Sequence, residues 1–510
     1  MVFVQRRAML LVAAVVVALA LTRVGGGKSG GAGHATPSLR PTDVTVQGGE
    51  PGRSVPFGFL GLSLEYPAVE AYAGHNPAAL DPVFLQLVRN LTPGQAPVLR
   101  IGGDSSDRTW WPTPGVARPP GVTYSITERW LGVTRALARV LGARLIVGLN
   151  LEADSPQLAA AEAGALLRGI GTGPVRALEL GNEPDLYATF PWYRTAEGRH
   201  VTGRPASYDM SSLISDFTAF AAVLPRRPLA GPSLGAPEWT RQLGRFLAAE
   251  PRVGLVTLHR YPLQLCFTPR SSPRYPTVAH LLEPSSSIGL ADSFAPYVAI
   301  ARARGRALRI DELNSVSCGA DPSVSQTFAS ALWAIDTLFE MVRVGIHGVN
   351  IHTFPGAGYQ LFELRRVGGR WQATVAPEYY GLEAFARAAP AGSRLEPVEG
   401  AVSGAVHTWA TRGSDGTTRI TMVNAGAQAR LLSLGVAGGR FGRAVLERLT
   451  GPSVRARSGV TLGGQSFGTP TFSGLLSGRS RSSAVAPAHG RYPVGLPAYS
   501  AALLVLSPVR

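Results

Sequence analysis

Cysteine is scarce in this chain, with two residues among 510. So small a number excludes a disulfide-rich scaffold and any cysteine-rich zinc or iron–sulfur module. Two short signatures are also missing. No glycine-rich dinucleotide turn follows the first apolar strand, and no His-Glu-x-x-His spacing occurs. The sequence therefore predicts neither a bound metal nor an organic cofactor.

Lysine is nearly absent as well, since Lys28 is the only one and almost all of the 49 basic residues are arginine. The net charge is +16, and the basic residues are scattered rather than gathered in blocks. Two explanations stay open: a bias in genome composition, or affinity for an anionic polymer such as an acidic polysaccharide. Because no helix-turn-helix, zinc-finger or RNP-like pattern occurs, no nucleic-acid partner is expected.

The apolar run near the N-terminus, Ala8–Leu21, is shorter than the roughly 20 residues that a membrane-spanning helix needs. It follows Arg6 and Arg7 and precedes a glycine-rich stretch, which is typical of an export signal. We predict a signal peptide or N-terminal anchor over residues 1–30 and a secreted or outward-facing protein. Membrane contact is expected only through an uncleaved anchor. Residues 31–54 are predicted to be a linker that can add one strand, Val44–Val46, to a later domain.

Strand-like apolar runs alternate with helical patterns over residues 55–390. Eight runs read as strands: Phe57–Glu65, Pro97–Gly102, Arg144–Leu151, Ala177–Gly181, Pro228–Leu234, Val253–His259, Ala307–Ile310 and Gly348–Thr353. Six amphipathic stretches lie between them: Thr127–Leu141, Pro156–Leu167, Ser211–Leu224, Trp239–Ala249, Ser293–Arg304 and Ser325–Val344. This alternation predicts an α/β fold, a (β/α)8 TIM barrel, and a doubly wound open sheet is the alternative.

The pattern changes to short strands separated by turn residues over residues 391–510. The candidates are Val402–Ala410, Thr418–Asn424, Ala429–Val436, Ala444–Thr450 and Ala498–Leu506. We predict a C-terminal β-sandwich domain. It can act as a carbohydrate-binding module or as a structural brace. Its single tryptophan, Trp409, favours the brace, because a lone aromatic residue is more often part of a core.

Two glutamates stand where strands of the barrel end. Glu183 follows the fourth strand and Glu312 follows the seventh, 129 residues later. The chemistry of such barrels lies at the carboxyl ends of the strands, and strands 4 and 7 face each other across the mouth. A retaining glycosidase needs two carboxyl groups about 5–5.5 Å apart, one protonated and one ionised. The pair predicts this chemistry, and a solvated or helix-capping acid is the alternative for either residue alone.

Four segments extend this pattern and resemble glycoside hydrolases of clan A, and more specifically family 79, which contains β-glucuronidases and heparanases. The segments are LRIGGDSSD (99–107), GNEPD (181–185), HRYPL (259–263) and DELNSVSC (311–318). The resemblance covers about residues 55–390 and extends to the terminal sandwich. It implies that Glu183 is the acid/base and Glu312 the nucleophile. Asn182 would then contact the sugar 2-hydroxyl, and Tyr261 would hydrogen-bond the nucleophile.

Further residues at strand ends are candidates for the same site. Arg100, near the end of strand 2, is expected to hold Glu312 anionic, unless it forms a structural ion pair among the helices. The resemblance implies that Glu65, which ends strand 1, contacts sugar hydroxyls. Asn150, at the end of strand 3, either faces the mouth as a substrate contact or caps a loop.

Recognition of a uronic carboxylate requires hydrogen-bond donors. The segment FPGAGYQ (354–360) follows the eighth strand, and its glycines allow backbone amides to approach a ligand closely. The segment resembles the Gly-Tyr element of family 79, which assigns the carboxylate to Gly358 and Tyr359. A plain glycine-rich loop is the alternative. Arg260 and Ser317 depart from the aromatic residues expected there and leave the detailed sugar preference open.

Cys266 follows strand 6 and Cys318 follows strand 7, so both lie on the loop face of neighbouring strands. An exported protein allows them to pair. We predict a disulfide that holds the loop carrying Glu312, and two buried thiols are the alternative. In the chain-entropy model, closing such a loop contributes on the order of 3–4 kcal/mol.

Together these patterns predict a secreted retaining glycoside hydrolase, an exo-acting β-glucuronidase whose partner is a glucuronide-containing glycan or glycoside. Three alternatives remain at this stage. They are an endo-acting heparanase-like hydrolase of acidic polysaccharide, a neutral-sugar β-glycosidase, and a non-catalytic carbohydrate-binding surface protein. The natural polymer or aglycone, tolerance of a methylated uronate and the oligomeric state do not follow from the sequence.

Overall fold

The computed structural model describes residues 41–48 and 52–509. The predicted signal segment, residues 1–30, and most of the predicted linker lie outside these residues. Among the helices described, none combines the length and the hydropathy needed to span a membrane.

Eight parallel strands close into a barrel, as predicted. In chain order they are β1 (Leu60–Glu65), β2 (Val98–Gly102), β3 (Arg144–Leu149), β4 (Val175–Leu180), β5 (Leu229–Leu234), β6 (Val253–Arg260), β7 (Ala307–Leu313) and β8 (Gly348–His352). Each strand pairs with its neighbours in this order, and β8 pairs with β1 to close the ring. All eight predicted strands are confirmed, and the open-sheet alternative is excluded.

Helices connect and cover the barrel strands. The α-helices are Tyr66–Ala73, Pro82–Leu91, Glu128–Leu141, Pro156–Ile170, Met210–Val223, Pro237–Thr240, Leu243–Ala249, Val278–Leu281, Ile288–Asp292, Ala295–Ala303, Pro322–Ser325, Phe328–Val344 and Pro377–Ala388. Short 3-10 helices span Ser106–Arg108, Pro184–Leu186 and Pro284–Ser286. Several begin at a side-chain cap. For example, the Thr127 hydroxyl accepts a hydrogen bond from the backbone N–H of Trp130, and this cap fixes the start of the helix Glu128–Leu141. The single helix predicted over Trp239–Ala249 is instead two shorter helices, interrupted at residues 241–242.

Small strand pairs decorate the loops of the barrel. They are Thr109–Trp110 with Tyr124–Ser125, Pro191–Arg194 with His200–Thr202, Leu263–Gln264 with Val316–Ser317, and Phe362–Val367 with Arg370–Val375. The third of these ties the loop after β6 to the loop after β7. It therefore helps to position the residues that follow both strands.

Two facing sheets form the C-terminal sandwich. The smaller contains Val398–Glu399, Thr42–Val46, Arg430–Val436 and Tyr492–Leu496. The larger contains Arg394–Glu396, Val402–Ser403, Val406–Arg412, Thr418–Asn424, Ser500–Leu506, Ala444–Thr450, Thr461–Leu462 and Ser483–Val485. The apolar side chains between the two sheets make a second core, separate from that of the barrel. The predicted contribution of Val44–Val46 to this domain is observed.

The outer face of the larger sheet packs against the barrel helix Phe328–Val344. The Trp409 ring stacks on Phe339 with centroids 5.0 Å apart, and its indole N–H donates to Glu340 Oε1 at 2.8 Å. His407 Nδ1 lies 2.8 Å from Asp336 Oδ2. Because Trp409 is buried in this contact, it cannot serve as a sugar platform, and the geometry favours the structural brace.

Candidate active site

The chain turns sharply after β4 and presents Glu183 at the mouth of the barrel. Gly181 has φ +79° and Glu183 itself has φ +48°, a left-handed conformation that costs a non-glycine residue about 1–3 kcal/mol. The backbone N–H of Glu183 donates to Ser233 O at 3.1 Å, which ties the turn to β5. A side chain at Gly235 would come within 2.7 Å of the Glu183 carboxylate, so glycine leaves room for that carboxylate in its present position.

Glu312 lies opposite, near the end of β7, where the pairing of β7 with β8 is irregular between Ile310 and Leu313. Its Oε2 atom is 2.6 Å from Arg100 Nη1, and its Oε1 atom accepts the Tyr261 hydroxyl at 2.9 Å. Burial alone would raise the pKa of Glu312. The charges of His352, His259 and Arg100 and the Tyr261 hydrogen bond outweigh it and lower the pKa well below its ordinary value. Glu312 is thus a buried but ionised carboxylate.

The two glutamates are close enough to act on one bond. One carboxylate oxygen of Glu183 and one of Glu312 lie within 4.8 Å of each other, with His259 beside both. This separation is in the range of retaining glycosidases and well short of the roughly 6.5–9.5 Å of inverting enzymes. Glu183 is the more exposed of the two, with a fifth of its side chain accessible to solvent.

Arg100 organises the floor of the site from β2. Its guanidinium is fully buried and donates to Glu179 Oε2 at 2.6 Å, to Glu312 Oε2 at 2.6 Å and to Asn182 Oδ1 at 2.8 Å. The structure thus places Arg100 inside the barrel rather than among the helices. It contacts Glu312, as the sequence predicted. The surrounding carboxylates more than offset burial, so the pKa of Arg100 is raised and the residue stays charged.

A second pair of acids lies directly beneath the two glutamates. Glu179 and Asp311 are both fully buried. Burial and the neighbouring Glu179 raise the pKa of Asp311 well above its ordinary value. Burial also opposes ionisation of Glu179, but Arg100 and the neighbouring Asp311 hold its pKa below the ordinary value. The two carboxyl groups offer oxygens within 4.8 Å of each other, and we assign the proton to Asp311 and the negative charge to Glu179.

His259, at the end of β6, connects this buried pair to the mouth. Its Nδ1 atom lies 3.2 Å from Glu183 Oε1, and its Nε2 atom lies 3.5 Å from Asp311 Oδ1. The imidazole therefore bridges the two carboxyl layers and orients Glu183. Glu179, His259 and Asp311 also offer three ligand atoms within 4.8 Å, as a metal site would. Arg100 already supplies the cation beside Glu179, which makes a metal ion there unfavourable.

Glu65 and His352 form the side of the site next to β1 and β8. Glu65 Oε2 accepts the backbone N–H of Ser105 at 2.8 Å, and its Oε1 atom lies 3.4 Å from His352 Nε2. Gly103, with φ +75°, passes so close that a side chain would overlap the Glu65 carboxylate. Burial would lower the pKa of His352, but Glu312 and Glu65 raise it. Glu65 therefore faces the same cavity as the nucleophile candidate.

Asn182 and Asp104 extend this side toward Glu183. The Asn182 side chain accepts from Arg100 and donates to Asp104 Oδ1 at 3.2 Å, which leaves one amide hydrogen free for a ligand. Its position inside the cleft and the charges of Glu65, Glu183 and Glu312 raise the pKa of Asp104 above its ordinary value, although the residue keeps an exposed surface. Asp104 lies within one of the segments quoted above but was not singled out by sequence. Its position becomes evident only when the strand ends are brought together.

Tyr359 reaches the site from the loop after β8. Its ring centroid is 6.0 Å from that of Tyr261 and 5.8 Å from that of His352, and the side chain is largely buried. Gly358 packs closely against the loop after β7. A side chain there would come within 2.9 Å of Ala320 in the loop after β7.

Asn150 does not join the site. Its amide donates to the carbonyls of Asp107 and Thr109 at 3.0 and 2.9 Å, and its oxygen accepts the N–H of Ala153 at 2.9 Å. The side chain is fully buried, and its hydrogen bonds go to the backbone. The prediction of a substrate contact is therefore corrected in favour of the alternative, a loop cap.

Two further residues support the loops around the site. Asp107 is a buried acceptor for the N–H groups of Leu151, Glu152 and Asn182 and for the Tyr187 hydroxyl, so it joins the loops after β2, β3 and β4. Arg260 donates to Gly235 O at 2.8 Å and holds the short loop after β5. Neither role was predicted.

The two cysteines form the predicted disulfide, with Cα atoms 5.8 Å apart. The bond links the loop after β6, which carries Cys266, to the loop after β7, which carries Cys318. It lies next to the strand pair Leu263–Gln264 and Val316–Ser317. The loops that follow Tyr261 and Glu312 are thus fastened to each other at the mouth of the barrel.

The sequence 231–235, which reads Gly-x-Ser-x-Gly at the end of β5, does not form a nucleophile elbow. The Ser233 hydroxyl is buried and lies 2.8 Å from Glu179 Oε1 and 2.9 Å from Thr257 Oγ1.

One sequence signal could have revealed the buried polar residues beneath the site. It is a charged residue within an otherwise apolar strand, as at Arg100, Glu179 and Asp311.

Comparison with known proteins supports the same fold. No model of a known protein family matches the chain. A beta-glucuronidase of Neurospora crassa is 22% identical over 394 residues, covering 68% of this chain and 66% of the relative. The chain thus spans just under two thirds of the curated relative it matches.

Three solved structures share the architecture. A 4-O-α-L-rhamnosyl-β-D-glucuronidase of Fusarium oxysporum 12S, in complex with Rha-GlcA, has a TM-score of 0.69 at 20% identity and covers 91% of this chain and 100% of its own. A GH51 arabinofuranosidase of Xanthomonas axonopodis pv. citri has a TM-score of 0.63 at 18% identity, with 91% and 99% coverage. A glycoside hydrolase family 30 subfamily 8 xylanase of Clostridium acetobutylicum has a TM-score of 0.52 at 14% identity, with the same coverage. These likenesses show the fold, a TIM barrel with a β-rich second domain, as the alternation of strands and helices predicted.

Proposed function

We propose that this protein is a secreted retaining glycoside hydrolase and that it acts as an exo-β-glucuronidase of family 79. The observation that carries the proposal is the pair Glu183 and Glu312, whose nearest carboxylate oxygens lie within 4.8 Å across the barrel mouth. The glucuronidase names of a sequence relative and of a structural neighbour support the choice of sugar.

In the first step Glu312 attacks the anomeric carbon, and the bond from that carbon to the leaving oxygen breaks. Glu183 gives its proton to the leaving oxygen, so the alcohol departs neutral and the sugar remains as an ester on Glu312. Arg100 and Tyr261 hold Glu312 ionised and aimed before the attack. The charges of His352, His259 and Arg100 and the Tyr261 hydrogen bond lower the pKa of Glu312, so this carboxylate is ionised at any pH above the acid range.

In the second step Glu183, now ionised, takes a proton from a water molecule. The resulting hydroxide attacks the anomeric carbon, the ester bond to Glu312 breaks, and the sugar leaves with its original configuration. His259 lies 3.2 Å from Glu183 on one side and reaches Asp311 on the other, so it keeps the acid/base oriented through both steps.

The remaining residues bind the sugar. The free amide hydrogen of Asn182 donates to the 2-hydroxyl, a contact that strengthens in the transition state. Glu65 and Asp104 accept hydrogen bonds from the other hydroxyls. Tyr359 and the backbone of its loop, including Gly358, donate to the uronic carboxylate, and the charge of His352 lies beside them.

The test compares 4-nitrophenyl β-glucuronide with the corresponding β-glucoside and β-xyloside, using the purified full-length chain and Glu312→Gln as the blank. We expect release from the glucuronide alone. Release from the glucoside or xyloside instead would overturn the choice of sugar and keep the mechanism. Equal rates for the wild type and Glu312→Gln on all three would overturn the mechanism.

A second test addresses the role of Glu183. A good leaving group needs little acid assistance, so Glu183→Ala should lose far less activity on 4-nitrophenyl than on methyl β-glucuronide. Acid catalysis contributes about 10²–10⁴-fold, which sets the expected loss on the methyl glycoside. An equal loss on both substrates would contradict the assignment.

A further inference from the structure

Two phenylalanine side chains are exposed on the rim of the barrel mouth and touch each other. Phe190, on the loop after β4, is 39% exposed, and Phe267, on the loop after β6, is 69% exposed. Their ring centroids lie 5.5 Å apart at an angle of 60°. We call them the Phe190–Phe267 pair. The contact leaves much of both rings in water, so packing of the two rings on each other does not explain why such large apolar side chains are exposed here.

The loops after β4 and β6 meet because β5, the strand between β4 and β6, is followed by a very short loop. β5 ends at Leu234, and a helix begins only three residues later at Pro237. The longer loops after β4 and β6 therefore meet above β5. The carboxylate of Glu183 occupies the same sector, since it fills the space that a side chain at Gly235 would take and lies 3.2 Å from His259 at the end of β6.

The pair is fixed to the site from both sides. The N–H of Phe190 donates to Leu186 O at 3.0 Å, and the N–H of Leu186 donates to Glu183 O at 2.8 Å. Phe267 directly follows Cys266, whose disulfide fastens this loop to the loop after β7. Phe267 also has φ +51°, a conformation that a large side chain rarely adopts. An exposed aromatic ring on a strained and tethered backbone contributes little to the stability of the fold. The same ring offers a ligand a fixed apolar surface to pack against.

The chemistry of the proposed reaction identifies which part of a ligand lies there. Glu183 protonates the leaving oxygen, so the group attached to that oxygen extends over the sector of Glu183. We propose that the Phe190–Phe267 pair is the binding surface for the leaving group and takes a ring with an apolar face. This inference rests on the proposed function. The ring is either an aromatic aglycone or the next sugar of a glycan, because both present C–H or π surface to a phenyl ring.

The first experiment measures KM and kcat of Phe267→Ala and Phe190→Ala on three β-glucuronides: 4-methylumbelliferyl, methyl and a glucuronyl disaccharide. The matched control is Phe57→Ala, because Phe57 is 71% exposed but precedes β1 at the opposite end of the barrel. We expect KM for a ring-bearing leaving group to rise about three- to tenfold, the range of one aromatic contact. KM for the methyl glycoside and all constants of Phe57→Ala should change less than about twofold.

The substrates distinguish the two sources of the ring. A rise confined to the 4-methylumbelliferyl substrate identifies an aromatic aglycone, and a rise confined to the disaccharide identifies a sugar. An equal rise in KM for the methyl glycoside would overturn the proposal, because the substitution would then disturb the whole active site rather than the binding of the leaving group. So would a Phe267→Ala variant that matches Phe57→Ala on every substrate.

A binding measurement keeps the inference separate from catalysis. Calorimetry compares Glu312→Gln with Glu312→Gln/Phe267→Ala, using 4-methylumbelliferyl β-glucuronide as the probe. Weaker binding by the double variant supports the surface, even if the wild type hydrolyses no glycoside and the proposed function fails. Equal binding, or no binding by either protein, would overturn the proposal.

Discussion

Two arginines are completely buried inside the same barrel, and they lie in opposite electrostatic surroundings. Arg100, on β2, is surrounded by Glu179, Glu312 and Asp311, with the nearest oxygens at 2.6 Å. Arg309, on β7, donates to the carbonyls of Gly58 and Phe59 at 2.9 and 3.2 Å and to Asn350. No carboxylate among the described residues forms an ion pair with it.

The pKa values move in opposite directions for this reason. The carboxylates around Arg100 raise its pKa, whereas burial and the nearby Arg176 lower the pKa of Arg309 to about 9. Arg309 lies at the amino end of the strands, where Gly348 and Gly61 make room for it. The comparison teaches that a buried charge is matched by opposite charges where chemistry is proposed. At the amino end of the barrel, where no chemistry is proposed, backbone carbonyls and an amide side chain are enough to satisfy the buried guanidinium.

The largest effect is expected for Arg100→Met. The change removes the cation that lies between the buried carboxylates of Glu179 and Glu312, so the pKa of Glu312 will rise and less of it will be ionised for the attack. We expect kcat to fall about 10³-fold on 4-nitrophenyl β-glucuronide, similar to the loss of one electrostatic stabiliser. Arg100→Lys is the control for folding, because it keeps the charge but not the three contacts. It should lose less activity and move the acid limb of the pH–rate profile to higher pH. A fully active Arg100→Met would contradict the account.

Glu179→Gln should have the next largest effect, because it removes a negative charge that holds Arg100 in place. We expect kcat to fall about ten- to hundredfold, a loss of roughly 1.4–2.7 kcal/mol in transition-state stabilisation.

The same variant should change the pH dependence of stability. The folded-state pKa of Glu179 is held below the unfolded value of about 4.3. Its contribution to stability is therefore present above that pH and is lost as the pH falls through the folded value. Glu179→Gln should flatten the decrease in Tm on acidification relative to the wild type. An unchanged slope would contradict the ionised state of Glu179.

Asp311→Asn should have a much smaller effect than Glu179→Gln. Asp311 carries the proton of the pair, so a neutral amide in its place leaves the charge of the pair unchanged. We expect kcat to change less than about threefold, corresponding to about 0.7 kcal/mol. If Asp311→Asn were the more damaging of the two, the proton would belong to Glu179 instead.

Arg309→Met should affect activity least. The variant leaves backbone carbonyls and Asn350 without their donor, so the free energy of unfolding should decrease by about 2–4 kcal/mol. Activity below the melting transition should stay within about twofold of the wild type, since Arg309 touches none of the site residues. Urea unfolding and a kinetic assay on the same preparation provide the two readouts. A loss of kcat as large as that of Arg100→Met would remove the distinction between the two arginines.

The sequence predicted the barrel well because each strand is a short apolar run bounded by turn residues. It also placed Glu183, Glu312, Arg100 and Tyr261 at or near strand ends, and the structure brings these four side chains together at the barrel mouth, while their roles stay predictions. The helix Pro82–Leu91 was not predicted, although Asp81 and Pro82 supply a cap and a first-turn proline.

The roles of Asn150, Asp311 and Asp104 did not follow from the sequence. A side chain at a strand end faces either the cleft or the loops, and one residue of shift in pairing exchanges the two directions. The irregular pairing of β7 near Asp311 and Glu312 is such a shift. The assignment of the proton to Asp311 depends on distances to Glu179 and Arg100 that no pattern in the chain encodes.

The central claim, that Glu312 forms a covalent bond to the sugar, is tested most directly by trapping that ester. The protein is incubated with 2-deoxy-2-fluoro-β-glucuronyl fluoride, whose 2-fluorine slows hydrolysis of the ester while fluoride leaves readily. Mass spectrometry of the digested protein should show one added fluoroglucuronyl group on the peptide that contains Glu312. Glu312→Gln should show none. Hydrolysis of glucuronides with an inverted product and no labelled peptide would contradict the account.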